Sequence, residues 1–202
     1  MISDKFKNYL FDLDGTLIDS KQSIISSLEH AFKSKDIDLN LTNEKNIIGP
    51  PLDVVLKKLD PHNDKRLQEE LRQIFIDYYD NIAFKNTKIA KGVSRLLKEL
   101  LESNKNIIIV TNKRHKPTLK IIQLFECLHG IHDFYSIDSF KNLTSKNLII
   151  KKVIAIKELK KEETVYIGDT FGDFEAAKDN KIDFIRVCIN NAGFLEVLKE
   201  SF

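Results

Sequence analysis

Four carboxylates and the polar ends of three apolar runs carry the chemistry that this sequence offers. Asp12 and Asp14 stand two residues apart where the run Tyr9, Leu10, Phe11 and Leu13 meets Gly15. A short apolar run closed by a turn reads as a buried strand. Alternation along a strand turns both acids to one face, opposite Phe11 and Leu13. Two like charges so close are costly unless a positive group sits between them or one is protonated. A divalent cation that prefers hard oxygen ligands meets that need.

Two further run ends add to the set. Val110-Thr111-Asn112-Lys113 closes a second apolar run, and the Thr111 hydroxyl with the N–H groups that follow it suits a phosphate oxygen. Gly168-Asp169-Thr170-Phe171-Gly172-Asp173 closes a third with two acids four apart and a helix start behind them. Each has a plainer reading: Asp-Gly marks a turn, Thr often follows a strand, and Asp173 suits a helix cap. Together, Asp12, Asp14, Asp169 and Asp173 make a cluster that is unstable unless a metal fills it.

The elements around these residues follow from periodicity. Asp19-Ser20 caps a helix from Lys21 to about Ser34, with Ile24, Ile25, Leu28, Ala31 and Phe32 at helical spacing. Ile47-Ile48-Gly49-Pro50-Pro51-Leu52 forms a turn that no helix runs through. A short helix resumes at Val54 and stops at Pro61, and a long one runs from Asp64 to about Ala83. Residues 18–86 thus read as helical without a strand. From Val93 the chain alternates. Helices are predicted at 93–103, from Pro117 through Phe125, at 148–159, at 174–178 and near 194–198; strands are predicted at 106–111, 134–137, 164–168 and 184–187. Such alternation implies a parallel sheet with helices on both faces, and ligands bind at the carboxyl ends of its strands.

The composition narrows the partners. Thirty-two basic and 30 acidic residues give a net charge of +2, which offers no electrostatic case for nucleic acid or a membrane as main partner. No apolar run approaches the ~20 residues of a membrane span, so a cytoplasmic protein is expected. Cys127 and Cys188 lack metal-ligand spacing and are expected to be buried thiols.

The stretch Asp12-Leu13-Asp14-Gly15-Thr16-Leu17-Ile18-Asp19-Ser20 resembles the first motif of the haloacid-dehalogenase-like phosphatases at every position. Thr111 is similar to the second motif of that family. Gly168-Asp169-Thr170-x-x-Asp173 with Glu175-Ala176-Ala177 is similar to its last. The third motif is a Lys; Lys146 best fits the spacing before Asp169, with Lys141 and Lys151 in reserve. The chain departs from the family in lacking Lys-Pro-x-Pro there and in reading Asn180-Lys181 where Ala-Gly is usual.

The resemblance implies a Rossmann-like parallel sheet at residues 1–17 and 87–202, with an all-helical cap at 18–86 inserted after the first strand. It implies Asp12 as nucleophile and Asp14 as general acid and base. Thr111, Asn112 and Lys146 would hold the phosphoryl group. Mg²⁺ would be held by Asp12, the Asp14 backbone carbonyl and Asp169, with Asp173 through water or an outer contact. Asp14 points away from the dehalogenase branch, because a halide needs no proton. The helical insertion and the Gly49 turn resemble the phosphoglycolate phosphatase branch, which makes Gly49 a substrate contact and phosphoglycolate the leading substrate. Nucleoside monophosphates or sugar phosphates come next, and a phosphomutase after them. A signalling receiver domain also combines acids, Thr and Lys, but carries no insertion of ~70 residues after its first strand. A non-catalytic phosphate-binding protein is the other class to weigh, and the chain is expected to be a monomer or homodimer.

Overall fold

The structure is a computed structural model that describes residues 3–39, 41, 47–60, 62–131 and 133–198. Pro61, the expected stop of the short helix, lies outside them. The chain divides into two compact units, one of residues 1–19 and 88–202 and the other of residues 20–87.

The first unit is built on a six-stranded sheet. Its strands are β1 (Asn8–Phe11), β4 (Asn106–Val110), β5 (Asp133–Tyr135), β6 (Thr164–Gly168), β7 (Asp183–Ile189) and β8 (Leu195–Val197), in the order β5-β4-β1-β6-β7-β8. The first five strands in that order pair in parallel, and β8 runs antiparallel to β7. β1 is central and fully buried, as its apolar run demands. Leu10, Ile108, Val110 and Tyr166 face a core completed by Ile149, Ile150 and Val153 of α6 (Lys146–Ile156) and Ala176 and Ala177 of α7 (Phe171–Asn180). Phe11, Ile109 and Ile167, which alternation turns to the other face, are equally buried. The remaining helices of the unit are α4 (Val93–Glu102) and α5 (His115–Leu124). Helix and strand thus alternate as the sequence implies, in a Rossmann-like core.

The second unit is helical: α1 (Lys21–Lys33), α2 (Leu52–Leu59), α3 (Lys65–Asn81) and a 3-10 turn over Ala83–Asn86. Leu28 and Phe32 meet Val55, Leu56, Leu71, Phe75 and Tyr79 in one core. The Asp64 side chain caps α3 by accepting from the N–H groups of Arg66 and Leu67.

Three expectations are corrected. Ile18–Asp19 form a short strand, β2, paired antiparallel with β3 (Lys88–Ile89), so the span 18–86 does contain a strand at its start. Ile18 is drawn into that ribbon because the turn before it folds back on Leu13, whose carbonyl accepts from the N–H groups of Leu17 and Ile18. The last helix, near 194–198, is instead strand β8, in which Val197 pairs with Val187 and Leu195 with Ile189. A few residues of mixed pattern fit either state, and pairing with an open sheet edge decides for strand. Cys127 and Cys188 are free and half-buried, not buried.

Candidate active site

Register places the chemistry. Phe11 pairs with Ile109 on one side and Ile167 on the other, so the carboxyl ends of β1, β4 and β6 come level. Asp12, Thr111 and Asp169 lie just past that line, and the Asp12 N–H continues the ladder by donating to the Ile167 carbonyl at 2.9 Å. Asp12, Asp14, Thr111 and Asp173 are all buried although every one is polar. Such burial is costly without partners.

The partners are shared among the acids. Lys146, the first residue of α6, sends its ammonium 2.8 Å from Asp12 Oδ1 and 2.5 Å from Asp173 Oδ1. Its reserves, Lys141 and Lys151, are exposed. Lys146 starts the helix because Ser145 caps it, accepting from the Leu148 N–H. Asp173 sits in a capping box at the start of α7: Thr170 Oγ1 accepts from the Asp173 N–H, and Asp173 Oδ2 accepts from the Thr170 N–H at 3.0 Å. The helix-capping reading of this stretch and its place in the cluster therefore both hold. Thr16 donates to Asp169 Oδ1 at 3.3 Å.

One oxygen is left over. Asp12 Oδ2 is buried and has no hydrogen-bond partner. Oxygen atoms of Asp12, Asp169 and Asp173 all lie within 4.8 Å of one another. Three carboxylates around one ammonium carry excess negative charge, and an orphaned carboxylate oxygen among them fits a hard divalent cation such as Mg²⁺. The electrostatics agree. Burial pushes the Asp12 carboxyl well above its ordinary range; Lys146 pulls it down, and Asp173 and Asp169 push it up again. Burial and then the Asp173 charge push Asp169 up to about 6. Burial also works against ionised Asp173, but Lys146 and Thr170 more than offset it and hold that carboxyl below its ordinary value. For Lys146, burial alone favours loss of the proton; Asp12 and Asp173 overcome it and hold the ammonium above the usual lysine range.

Asp14 stands apart from the trio. Its carboxylate is engaged by Lys113, whose Nζ is 2.9 Å from Oδ1 and 3.2 Å from Oδ2. Thr111 Oγ1 accepts from the Lys113 N–H at 3.1 Å, which leaves the hydroxyl hydrogen as a donor. Asn112 is half-buried in the same loop. Gly49 belongs to the helical unit, in a bend before α2 with φ +96°. Sequence reasoning missed Lys113 and Thr16. Both lie inside the quoted stretches, and a cation two residues past the Thr111 strand end was the available signal.

Two glycines are fixed by the cluster. Gly168 approaches Asp173 so closely that a Cβ there would lie 2.6 Å from Asp173 Cγ. Gly15 has φ +85°, and its Cβ would lie 2.3 Å from Asp169 Oδ2. Gly15→Ala is therefore expected to cost ~1–2 kcal/mol in backbone strain and to displace the Asp169 carboxylate. A thermal melt and a Mg²⁺ titration check this: a lowered midpoint with weakened metal response is expected, and unchanged metal response contradicts it.

The comparisons with known proteins agree with this geometry. The profile of the haloacid dehalogenase-like hydrolases matches residues 9–187. Pyrophosphatase PpaX of Halalkalibacterium halodurans is 30% identical over 175 residues, 84% of this chain and 78% of that protein. A phosphoglycolate phosphatase of Vibrio vulnificus is 24% identical over 191 residues, 89% of this chain and 82% of its own. The crystal structure of a predicted phosphatase from Clostridium acetobutylicum superposes with a TM-score of 0.81 at 23% identity, covering 90% of this chain and 84% of that one. With its motifs gathered at the ends of β1, β4 and β6, the chain belongs to the haloacid dehalogenase-like hydrolases and is a phosphatase.

Proposed function

We propose that the protein is a Mg²⁺-dependent phosphatase of small phosphorylated metabolites that works through an aspartyl-phosphate on Asp12. The observation that carries this reading is the Asp12 carboxylate itself: buried, tethered at Oδ1 by Lys146 and without a partner at Oδ2. A nucleophile must be held in place, and burial with the Lys146 tether holds this one. Asp12 attacks phosphorus in line, and the leaving oxygen departs on the opposite side. Thr111 donates its hydroxyl hydrogen to a phosphoryl oxygen. Lys146 offsets the repulsion between that group and Asp12. Asp14 gives a proton to the leaving oxygen, then takes one from the water that cleaves the aspartyl-phosphate. Mg²⁺ held by Asp12, Asp169 and the Asp14 carbonyl, with Asp173 outside them, would neutralise phosphoryl charge.

The helical unit, inserted directly after the Asp12 turn, is assigned the choice of leaving group, with the Gly49 bend as a contact. Phosphoglycolate is the leading substrate. Inorganic pyrophosphate is the second, favoured by the 30% identity to a protein named for that activity. Among the described residues no helix is long and apolar enough to cross a membrane, and we place the protein in the cytoplasm as a monomer or homodimer. Phosphate release from a panel of phosphoglycolate, pyrophosphate, sugar phosphates and nucleoside monophosphates, with Mg²⁺ and with chelator, tests the reading. Metal-dependent release concentrated on one class is expected. Release undiminished by chelator would remove the metal, and no release from any member would remove the substrate assignment.

A further inference from the structure

The peptide that leads into Thr111 is held at both ends, and one of the two ties comes from across the sheet. The Thr111 N–H donates to the Tyr135 carbonyl at 2.9 Å. The other half of that peptide, the Val110 carbonyl, accepts from the Tyr166 hydroxyl at 2.7 Å. Tyr166 belongs to β6 and pairs with Leu10 of β1, whereas Val110 belongs to β4 on the far side of β1. The tyrosine therefore reaches over the central strand, on the face it shares with Leu10 and Val110.

That reach ends beside the chemistry. Phe11 pairs with Ile109, so Val110 stands level with Asp12. The Lys146 ammonium lies 5.8 Å from the centre of the Tyr166 ring, and the Tyr166 hydroxyl also lies beside the Asp173 carboxylate. A hydroxyl has one proton to give. The Val110 carbonyl takes it at 2.7 Å, and because Val110 and Tyr166 are both fully buried, no water stands in for that donor.

The consequence falls on Thr111. Rotation of the Val110–Thr111 peptide is the motion that would swing the Thr111 side chain off its line. With N–H and carbonyl both engaged, the peptide keeps one orientation. Thr111 Oγ1 accepts from the Lys113 N–H at 3.1 Å, which leaves its hydrogen for a phosphoryl oxygen.

We propose that Tyr166 is a positioning residue for phosphoryl transfer: its hydroxyl fixes the peptide before Thr111, and with it the direction of the hydrogen that Thr111 gives to the phosphoryl group. Being fully buried, Tyr166 acts through Thr111 and not on the substrate itself. The proposal rests on the reading of Thr111 as that donor.

The test is a double-mutant cycle of Tyr166→Phe and Thr111→Val. It is read by the Kd for inorganic phosphate and by kcat/KM on p-nitrophenyl phosphate, both in Mg²⁺. Phosphate is the product whatever the leaving group, so its binding reads the phosphoryl pocket without a known substrate. Thr111→Val is expected to lower kcat/KM by ~10²-fold, as the loss of one aimed donor does. Tyr166→Phe keeps the ring and is expected to lower it ~10-fold, as a small displacement of a positioned group does. The losses should not add: the double variant is expected to match Thr111→Val within about threefold, in kcat/KM and in phosphate Kd alike. Losses that multiply to ~10³-fold would overturn the proposal and assign the hydroxyl to Asp173 or to packing. Tyr166→Phe with wild-type turnover and phosphate Kd overturns it too. Amide exchange in the wild type keeps the test open should Tyr166→Phe fail to fold: the Thr111 N–H is expected to exchange as slowly as those of β4, and fast exchange there overturns the fixed peptide. Failure of the underlying reading is distinct, because Thr111→Val would then keep wild-type kcat/KM and phosphate Kd.

Discussion

Asp12→Asn is expected to lose at least ~10³-fold in kcat on every substrate while the fold survives, because the nucleophile is removed and no other group replaces it. An amide oxygen is a poor nucleophile, and the neighbouring acids are committed elsewhere. Asp173 is held by Lys146 and Thr170, and Asp14 by Lys113. The fold should not suffer. Asn has nearly the same shape, and the substitution removes one of three clustered carboxylates, two of which share a single ammonium. Since burial already pushes the Asp12 carboxyl well above its ordinary range, the neutral side chain is expected to leave the metal-free melting midpoint unchanged or raise it. Phosphate release and a thermal melt on the same sample check both halves. Turnover within tenfold of wild type would remove Asp12 as nucleophile, and a collapsed midpoint would assign the loss to unfolding.

The parts of this site legible in the sequence are those fixed by local rules. Asp12 and Asp14 declare themselves because an apolar strand ending in Gly constrains both faces at once, and β1 is buried throughout. Asp169 and Asp173 are legible for the same reason at the end of β6. Lys146 itself was one choice among 32 basic residues. The packing of α6 against the sheet, which the sequence does not state, is what brings its ammonium to Asp12. Lys113 was missed because a Lys in a loop reads as solvated; its place two residues past the Thr111 strand end was the local signal, and the pairing of β1 with β4 carries it to Asp14. Leu195–Val197 went the other way because three residues of mixed pattern hold no period, and the open edge of β7 decided their state. Local chemistry was readable; contacts across the sheet were not.

Lys146→Met probes the opposite side of the balance and carries the largest expected loss of stability. Methionine keeps most of the buried stem but removes the charge on which Asp12 and Asp173 both lean. Breaking a buried ion pair by deleting one partner costs ~3–5 kcal/mol. For a chain of this length that lowers the melting midpoint by roughly 10 °C at neutral pH. The loss should depend on pH in a definite direction. In the wild type Asp169 titrates at about 6 in the folded chain, above its ordinary 3.8. Across that window the folded chain holds more protons than the unfolded one, so the contribution of this group to stability falls as pH rises. Without Lys146, Asp12 and Asp173 lose the charge that pulls their carboxyls down, and the same penalty extends to them. The deficit of Lys146→Met relative to wild type is therefore larger at pH 8 than at pH 5. Mg²⁺ restores part of it at pH 8, where the carboxylates are ionised, and little at pH 5. Thermal melts of both proteins at the two pH values, with and without Mg²⁺, read out all of this. A deficit that is the same at both pH values and blind to Mg²⁺ would show that Lys146 contributes packing alone, and the charge balance drawn around Asp12 would have to be abandoned.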